Sequence, residues 1–258
     1  MKFIDQMNNT ILLSETPKRI VSLVPSITEL LVDLGLEENI VGITKFCEEP
    51  NYLKNKIEII GGTKNININK IKNLNPDLII ANKEENLEKQ IIELKKYSNV
   101  WVSNIKNLEE NLDLILKLGE IFNKKSESES LIKKTKLAIK TLSNFKIKNN
   151  KSLYLIWKNP YMSVGIDTYI HDIITKIGLK NCILMNRYPL VELSNFKNVD
   201  YILLSSEPYP FKKKDIYQIR NELTDPKIIL VDGKFFSWYG SRFSKSLDYL
   251  EEFISKLD

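Results

Sequence analysis

The chain has 258 residues, 43% of them apolar and 28% charged, the balance of a soluble globular protein with room for one large core or two modest ones. Two cysteines, Cys47 and Cys182, exclude a disulfide framework or a Cys-rich zinc site, and a single histidine, His171, excludes multi-histidine metal centres. The net charge of +5 comes from scattered lysines, so the clustered basic stripe that nucleic acid demands is missing, and Lys212-Lys213-Lys214 reads as a solvated helix start.

Residues 1–13 carry Asp5, Asn8 and Asn9 where a secretory signal needs an apolar run of about 7–15 residues. The longest apolar runs, such as 78–81 and 201–204, are strand-sized, against about 20 residues for a membrane span. A cytoplasmic protein that does not span a membrane is therefore expected. A periplasmic or cell-surface placement is the alternative if the start is incomplete.

Apolar runs of four to six residues alternate with helical patterns, which predicts an α/β fold with parallel sheets. A strand over 19–24 runs into Pro25-Ser26-Ile27-Thr28-Glu29, where Ser26 and Glu29 have the spacing of a capping box. The helix they open stops at Gly35, and a strand follows over 40–43. Asn75-Pro76-Asp77 introduces a buried strand, then come a helix over 84–97, a strand over 99–102 and a helix over 107–122. The carboxy-terminal half repeats the layout. A strand over 153–156 leads to a helix over 168–177 with Asp167 as its expected N-cap. Ile177-Gly178-Leu179 matches Leu34-Gly35-Leu36, and Asn198-Val199-Asp200 with its strand matches Asn75-Pro76-Asp77. A charged helix, a strand over 227–231 and a last helix from about Arg242 complete the second half.

Between the halves, 124–145 begins acidic and ends basic, with Leu131, Ala138, Leu142 and Phe145 on one stripe and no Gly or Pro, which predicts one stiff helix. The expected organisation is an amino-terminal α/β lobe over 1–123, a connecting backbone helix over 124–145 and a carboxy-terminal α/β lobe over 146–258. These are two Rossmann-like lobes with a cleft between them.

In parallel α/β sheets, ligands sit beyond the carboxyl ends of the strands. The loops expected there hold Pro25 and Ser26, Phe46 with Lys45 and Cys47, Trp157 with Tyr161, Arg187 with Tyr188, and Trp238, Tyr239 and Arg242. Aromatics so concentrated either plug the seam between lobes or line a cleft. Arginine beside them suits a flat ligand with carboxylate, amide or phosphate groups. Catalytic constellations are poor: there is no G-x-S-x-G, Walker or G-x-G-x-x-G motif. Gly61-Gly62-Thr63 reads as a turn, His171 as a satisfied helix residue, and Cys47 near Lys45 as a somewhat activated thiol.

The run from Pro17 to Leu31, with Gly35 and Val41-Gly42-Ile43-Thr44, resembles the opening of the helical-backbone (class III) periplasmic receptors for cobalamin, ferric siderophores and haem. The likeness continues through Ile60-Gly61-Gly62-Thr63, Asn75-Pro76-Asp77, Asn159-Pro160-Tyr161 and Arg187-Tyr188-Pro189, with the cobalamin-binding branch nearest. The resemblance implies a non-catalytic protein that holds a corrinoid or other metal chelate between its lobes. Phe46, Met162 and the 238–242 loop would fall on pocket positions, with Thr63 and Leu190 where that branch has tryptophans. It also implies an ABC permease as partner, yet Asn69 and Phe196 stand where a docking glutamate is usual, with Glu192 nearby. No cofactor of its own, no metal site and a monomer are expected. If it is not exported, a cytoplasmic carrier or sensor is expected instead of an importer component. The rivals are a cytoplasmic corrinoid- or tetrapyrrole-modifying enzyme and a binding fold repurposed for a protein partner.

Overall fold

The computed structural model describes residues 1–145, 150–223 and 225–257. The chain divides into two compact units, each built on a mainly parallel sheet flanked by helices. The first unit comprises Met1–Asn104, Glu109–Thr135 and the short return segment Tyr239–Arg242. The second holds the remaining described residues. The expected start of the carboxy-terminal lobe, residue 146, lies outside the described residues.

The sheet of the first unit is ordered β5-β4-β3-β6-β7, formed by Glu58–Ile59 (β5), Ile40–Ile43 (β4), Ile20–Ser22 (β3), Leu78–Asn82 (β6) and Asn99–Ser103 (β7), all parallel. Every residue of β3 and β6 is buried, as a parallel sheet covered on both faces requires. Helix α1 (Pro25–Asp33) follows β3 and buries Ile27, Leu30 and Leu31. Trp101 on β7 is fully buried, and its truncation to Ala would cost about 3–5 kcal/mol.

Ahead of this sheet, Lys2–Ile4 (β1) and Thr10–Leu12 (β2) pair as an antiparallel hairpin that the sequence pattern does not signal. Asp5 organises it. One carboxylate oxygen accepts from the amides of Met7 at 2.9 Å and Asn9 at 2.8 Å, and the other from the Val102 amide at 3.1 Å.

The second unit orders Lys180–Asn181 (β10), Lys151–Trp157 (β8), Tyr201–Ser205 (β11) and Lys227–Val231 (β12) in a parallel array, with Met162–Ser163 (β9) antiparallel to β8. Leu153, Leu155, Ile202 and Leu204 form its core with Phe211 and Ile219 from the elements packed on the sheet. Helix α5 (Lys125–Leu142) carries the chain from the first unit into the second.

The internal repeat extends to individual hydrogen bonds. Helix α1 and helix α6 (Tyr169–Lys176) both end in a glycine with positive φ, Gly35 at 73° and Gly178 at 89°. In each, the glycine amide and the next amide turn back on the last carbonyls: Gly35 to Val32 and Leu36 to Leu31, Gly178 to Thr175 and Leu179 to Ile174. The Asn-x-Asp turns are equivalent too. The Asp77 carboxylate accepts from the amides of Lys18 and Arg19 at the start of β3, and the Asp200 carboxylate accepts from the Lys151 amide at the start of β8.

Three local expectations are corrected. Pro25, preorganised for the first helical turn, starts α1 with Val24 at the N-cap, so Ser26 and Glu29 do not form a capping box. Thr168, not Asp167, caps α6 by accepting from the His171 amide. The helix expected over 84–97 begins only at Glu88, because the Asn82 side chain accepts from the amides of Glu84 and Glu85 and holds them in a turn.

Candidate ligand-binding site

In the second unit, β8 ends at Trp157 and the chain returns through β9, where Met162 pairs beside Trp157. Residues 185–191 run antiparallel alongside 161–166. The Val191 amide donates to Tyr161, Ser163 to Pro189, Gly165 to Arg187 and Ile166 to Met185. A Cβ on Gly165 would lie 2.0 Å from the Met185 carbonyl oxygen, so only glycine admits this approach. Met162 bridges to Leu190, which sets Trp157, Met162 and Leu190 in one row across three neighbouring segments. Trp157 is 43% exposed and Leu190 59% exposed, a large wet apolar area at the carboxyl end of a parallel sheet.

Tyr209 braces the row with its ring 5.9 Å from Trp157 in an edge contact, and Phe211 braces Tyr209 in turn. Below it, Lys158 is tied to the buried Asp215 at 2.6 Å. That bond holds the Lys158 ammonium above its usual range. Burial pushes the Asp215 carboxyl up, but Lys158 and the Lys212 amide together outweigh it and keep the group low. Beside the row, Tyr161 and Tyr188 are half-buried. Arg187 adopts φ 61°, and its Nε lies 3.2 Å from an Asp167 oxygen, the carboxylate that the sequence assigned to helix capping.

In the first unit, the loop after β4 presents Phe46, 47% exposed, with the Lys45 ammonium 5.1 Å from its ring centroid. Cys47 anchors this loop from below, its sulfur 3.1 Å from the Thr28 hydroxyl and 3.3 Å from that of Thr44. Burial raises its thiol pKa, so Cys47 is not the somewhat activated thiol that its neighbour Lys45 suggested.

Four further candidate residues of the first unit, Pro25, Ser26, Tyr239 and Arg242, do not face solvent as a ligand surface. Pro25, Ser26 and Tyr239 are buried and Arg242 is largely so, with Tyr239–Arg242 part of that unit. Gly240, with φ +82°, lies against Ser26 and Leu30, and Asn111 clamps it by donating to the Gly240 carbonyl and accepting from its amide. The Arg242 Nε donates to the buried Glu29 at 2.9 Å. Burial raises the Tyr239 phenol well above its usual range, against the opposing effect of the Ser103 and Ser26 hydroxyls. In the second unit, Trp238 is likewise buried. Its indole Nε1 donates to Glu207 at 3.0 Å, and the Ser237 hydroxyl donates to the same oxygen at 2.7 Å.

His171 sits 3.0 Å from the Asn181 amide nitrogen through Nδ1, and burial lowers its pKa. It is a satisfied helix residue. Among the described residues no group of three or more His, Cys, Asp or Glu side chains is placed to hold a metal ion. The sequence assigned Leu190 only as a replacement for a tryptophan. Its place in the row depends on the pairing of 161–166 with 185–191, for which no regular alternation gives a signal.

Residues 20–222 match the family model described as periplasmic binding protein. The chain belongs to the periplasmic binding protein family. An uncharacterized ABC transporter substrate-binding lipoprotein of Bacillus subtilis, YvrC, is 26% identical over 97% of this chain and 84% of its own length. A vitamin B12-binding protein of Vibrio vulnificus is 32% identical over a shorter stretch, 40% of this chain and 38% of that protein. The periplasmic haem-binding protein RhuT of Roseiflexus sp. RS-1 shares the fold with a TM-score of 0.80 at 18% identity, over 93% of this chain and 99% of that one. These relatives are binding proteins rather than enzymes, and the two-unit α/β fold with parallel sheets is theirs. They also overturn the cytoplasmic expectation, because this periplasmic binding protein matches a lipoprotein and periplasmic proteins, which work outside the cytoplasm. An amino-terminal segment without an apolar run is no guide to compartment here.

Proposed function

We propose that this periplasmic binding protein is the substrate-binding component of an ABC importer for a metal chelate of the corrinoid or tetrapyrrole type. The observation that carries the reading is the row of Trp157, Met162 and Leu190, set side by side by backbone pairing, with Trp157 and Leu190 left exposed at a sheet's carboxyl end. A planar macrocycle covers such a row in one contact, and burying each large side chain is worth about 1.5–3 kcal/mol before the cost of association. Tyr161, Tyr188 and Arg187 supply polar groups at its margin. The names of the B12-binding and haem-binding relatives support the same ligand class. The metal travels inside its chelate.

The test is calorimetric titration of the full chain with cyanocobalamin, haem and a ferric siderophore. One-to-one binding of cyanocobalamin or haem, weakened about tenfold or more by Leu190→Asp, is expected. Binding of neither by folded protein, or of the siderophore alone, contradicts the reading.

A further inference from the structure

We propose that Lys45 is a specificity residue of this binding protein, selecting chelates that carry carboxylate or other acidic groups on their periphery. The inference rests on the chelate reading and adds to it the charge of the ligand.

Lys45 lies two residues past the end of β4, at the carboxyl end where a parallel sheet presents its ligand loops. Its backbone is fixed, since its amide donates to the Gly61 carbonyl at 2.8 Å. Its side chain and the Phe46 ring both lie over Gly62. A Cβ there would come within 3.1 Å of Phe46 and 3.5 Å of Lys45, so the glycine lets the two side chains lie close over the turn. The ammonium thus stands beside a half-exposed aromatic face, its ring contact with Phe46 aside, without an acidic partner among the described residues.

The neighbouring charges are committed elsewhere. Glu48 faces Lys54 at 4.0 Å, Glu49 lies 3.9 Å from Arg242, and the Lys64 ammonium donates to the Glu84 carbonyl. A cation held against an aromatic surface, with Glu48 and Glu49 facing other bases, recognises an aromatic or conjugated body bearing a negative group. The ring takes the body, and the ammonium takes the acid as a charge-assisted hydrogen bond. A neutral chelate covering Phe46 would instead desolvate Lys45 without compensation.

The experiment compares haem, haem dimethyl ester (the same macrocycle with its carboxylates masked) and cyanocobalamin, which carries no net charge. Each is titrated by absorbance into the full chain and into Lys45→Gln, Lys45→Arg and Phe46→Ala. The native chain is expected to bind haem about tenfold tighter than its ester. Lys45→Gln should erase that preference, weakening haem and relieving the desolvation cost that the ester meets, and Lys45→Arg should keep it. Phe46→Ala should weaken both porphyrins alike. Equal affinity for haem and ester in the native chain, tight binding confined to cyanocobalamin, or a preference that survives Lys45→Gln would each overturn the assignment. Failure of the folded native chain to bind any of the three would overturn the chelate reading itself, and this inference with it.

Discussion

Arg242 reaches back across the chain to place its Nε 2.9 Å from the carboxylate of Glu29, a side chain buried in helix α1. The pair fastens the four-residue return segment to the first unit, beside the two hydrogen bonds between Asn111 and Gly240. Removing one partner of a buried ion pair costs about 3–5 kcal/mol. Arg242→Ala and Glu29→Ala should each lower stability by that order in urea unfolding, and the double change to leucines should recover much of it. A loss below about 1 kcal/mol for Arg242→Ala would show the pair to be dispensable.

Glu207 gives a pH dependence with a definite sign. Burial raises its carboxyl pKa, and the hydrogen bonds from Ser237 and Trp238 offset this only in part. A carboxyl that binds its proton more tightly folded than unfolded stabilises the fold at low pH. That contribution is lost as pH rises from the ordinary value of about 4.3 through the raised folded value. Glu207→Gln keeps an acceptor for both donors, so it should match or exceed native stability at pH 7, with the difference shrinking below about pH 4. Thermal unfolding across that range checks it. A Gln variant that is much less stable at neutral pH would contradict the assignment.

The two helix-ending glycines should respond alike. Gly35 and Gly178 both hold positive φ, where an L-residue is strained whatever the surrounding space. Gly35→Ala and Gly178→Ala should each cost about 1 kcal/mol, read as a shift of the urea midpoint at constant slope. Indifference at either site would argue against the shared turn.

The thiols should separate cleanly. Cys47 is fully buried between two threonine hydroxyls, while Cys182 is half-exposed. A thiol reagent should therefore label one cysteine in the native protein and the second only after unfolding, as peptide mapping would show. Native labelling at Cys47 would mean that the loop carrying Phe46 opens readily.

Much of this architecture was legible because it is local and repeated. Leu34-Gly35-Leu36 and Ile177-Gly178-Leu179 announce the same helix stop, and Asp77 and Asp200 make the same turn ahead of a buried strand. The aromatic and arginine loops were legible as a group, but the group divides. Trp157 and Phe46 stand wet, whereas Trp238 and Arg242 are consumed by Glu207 and Glu29, and Tyr239 is buried. Which partner a side chain takes is settled by contacts far apart in sequence, and composition carries no trace of them. The hairpin around Asp5 escaped for the opposite reason, since three-residue strands are too short to show a period.

Tryptophan fluorescence reads directly whether the Trp157 row receives a metal chelate. Trp101 and Trp238 are buried and Trp157 is exposed, so a Trp238→Phe protein reports chiefly on the proposed site. Titration with haem and with cyanocobalamin should give saturable quenching by at least one, abolished by Trp157→Phe while a parallel absorbance titration still detects weaker binding. Quenching that persists without Trp157, or none from either chelate in folded protein, would contradict the account.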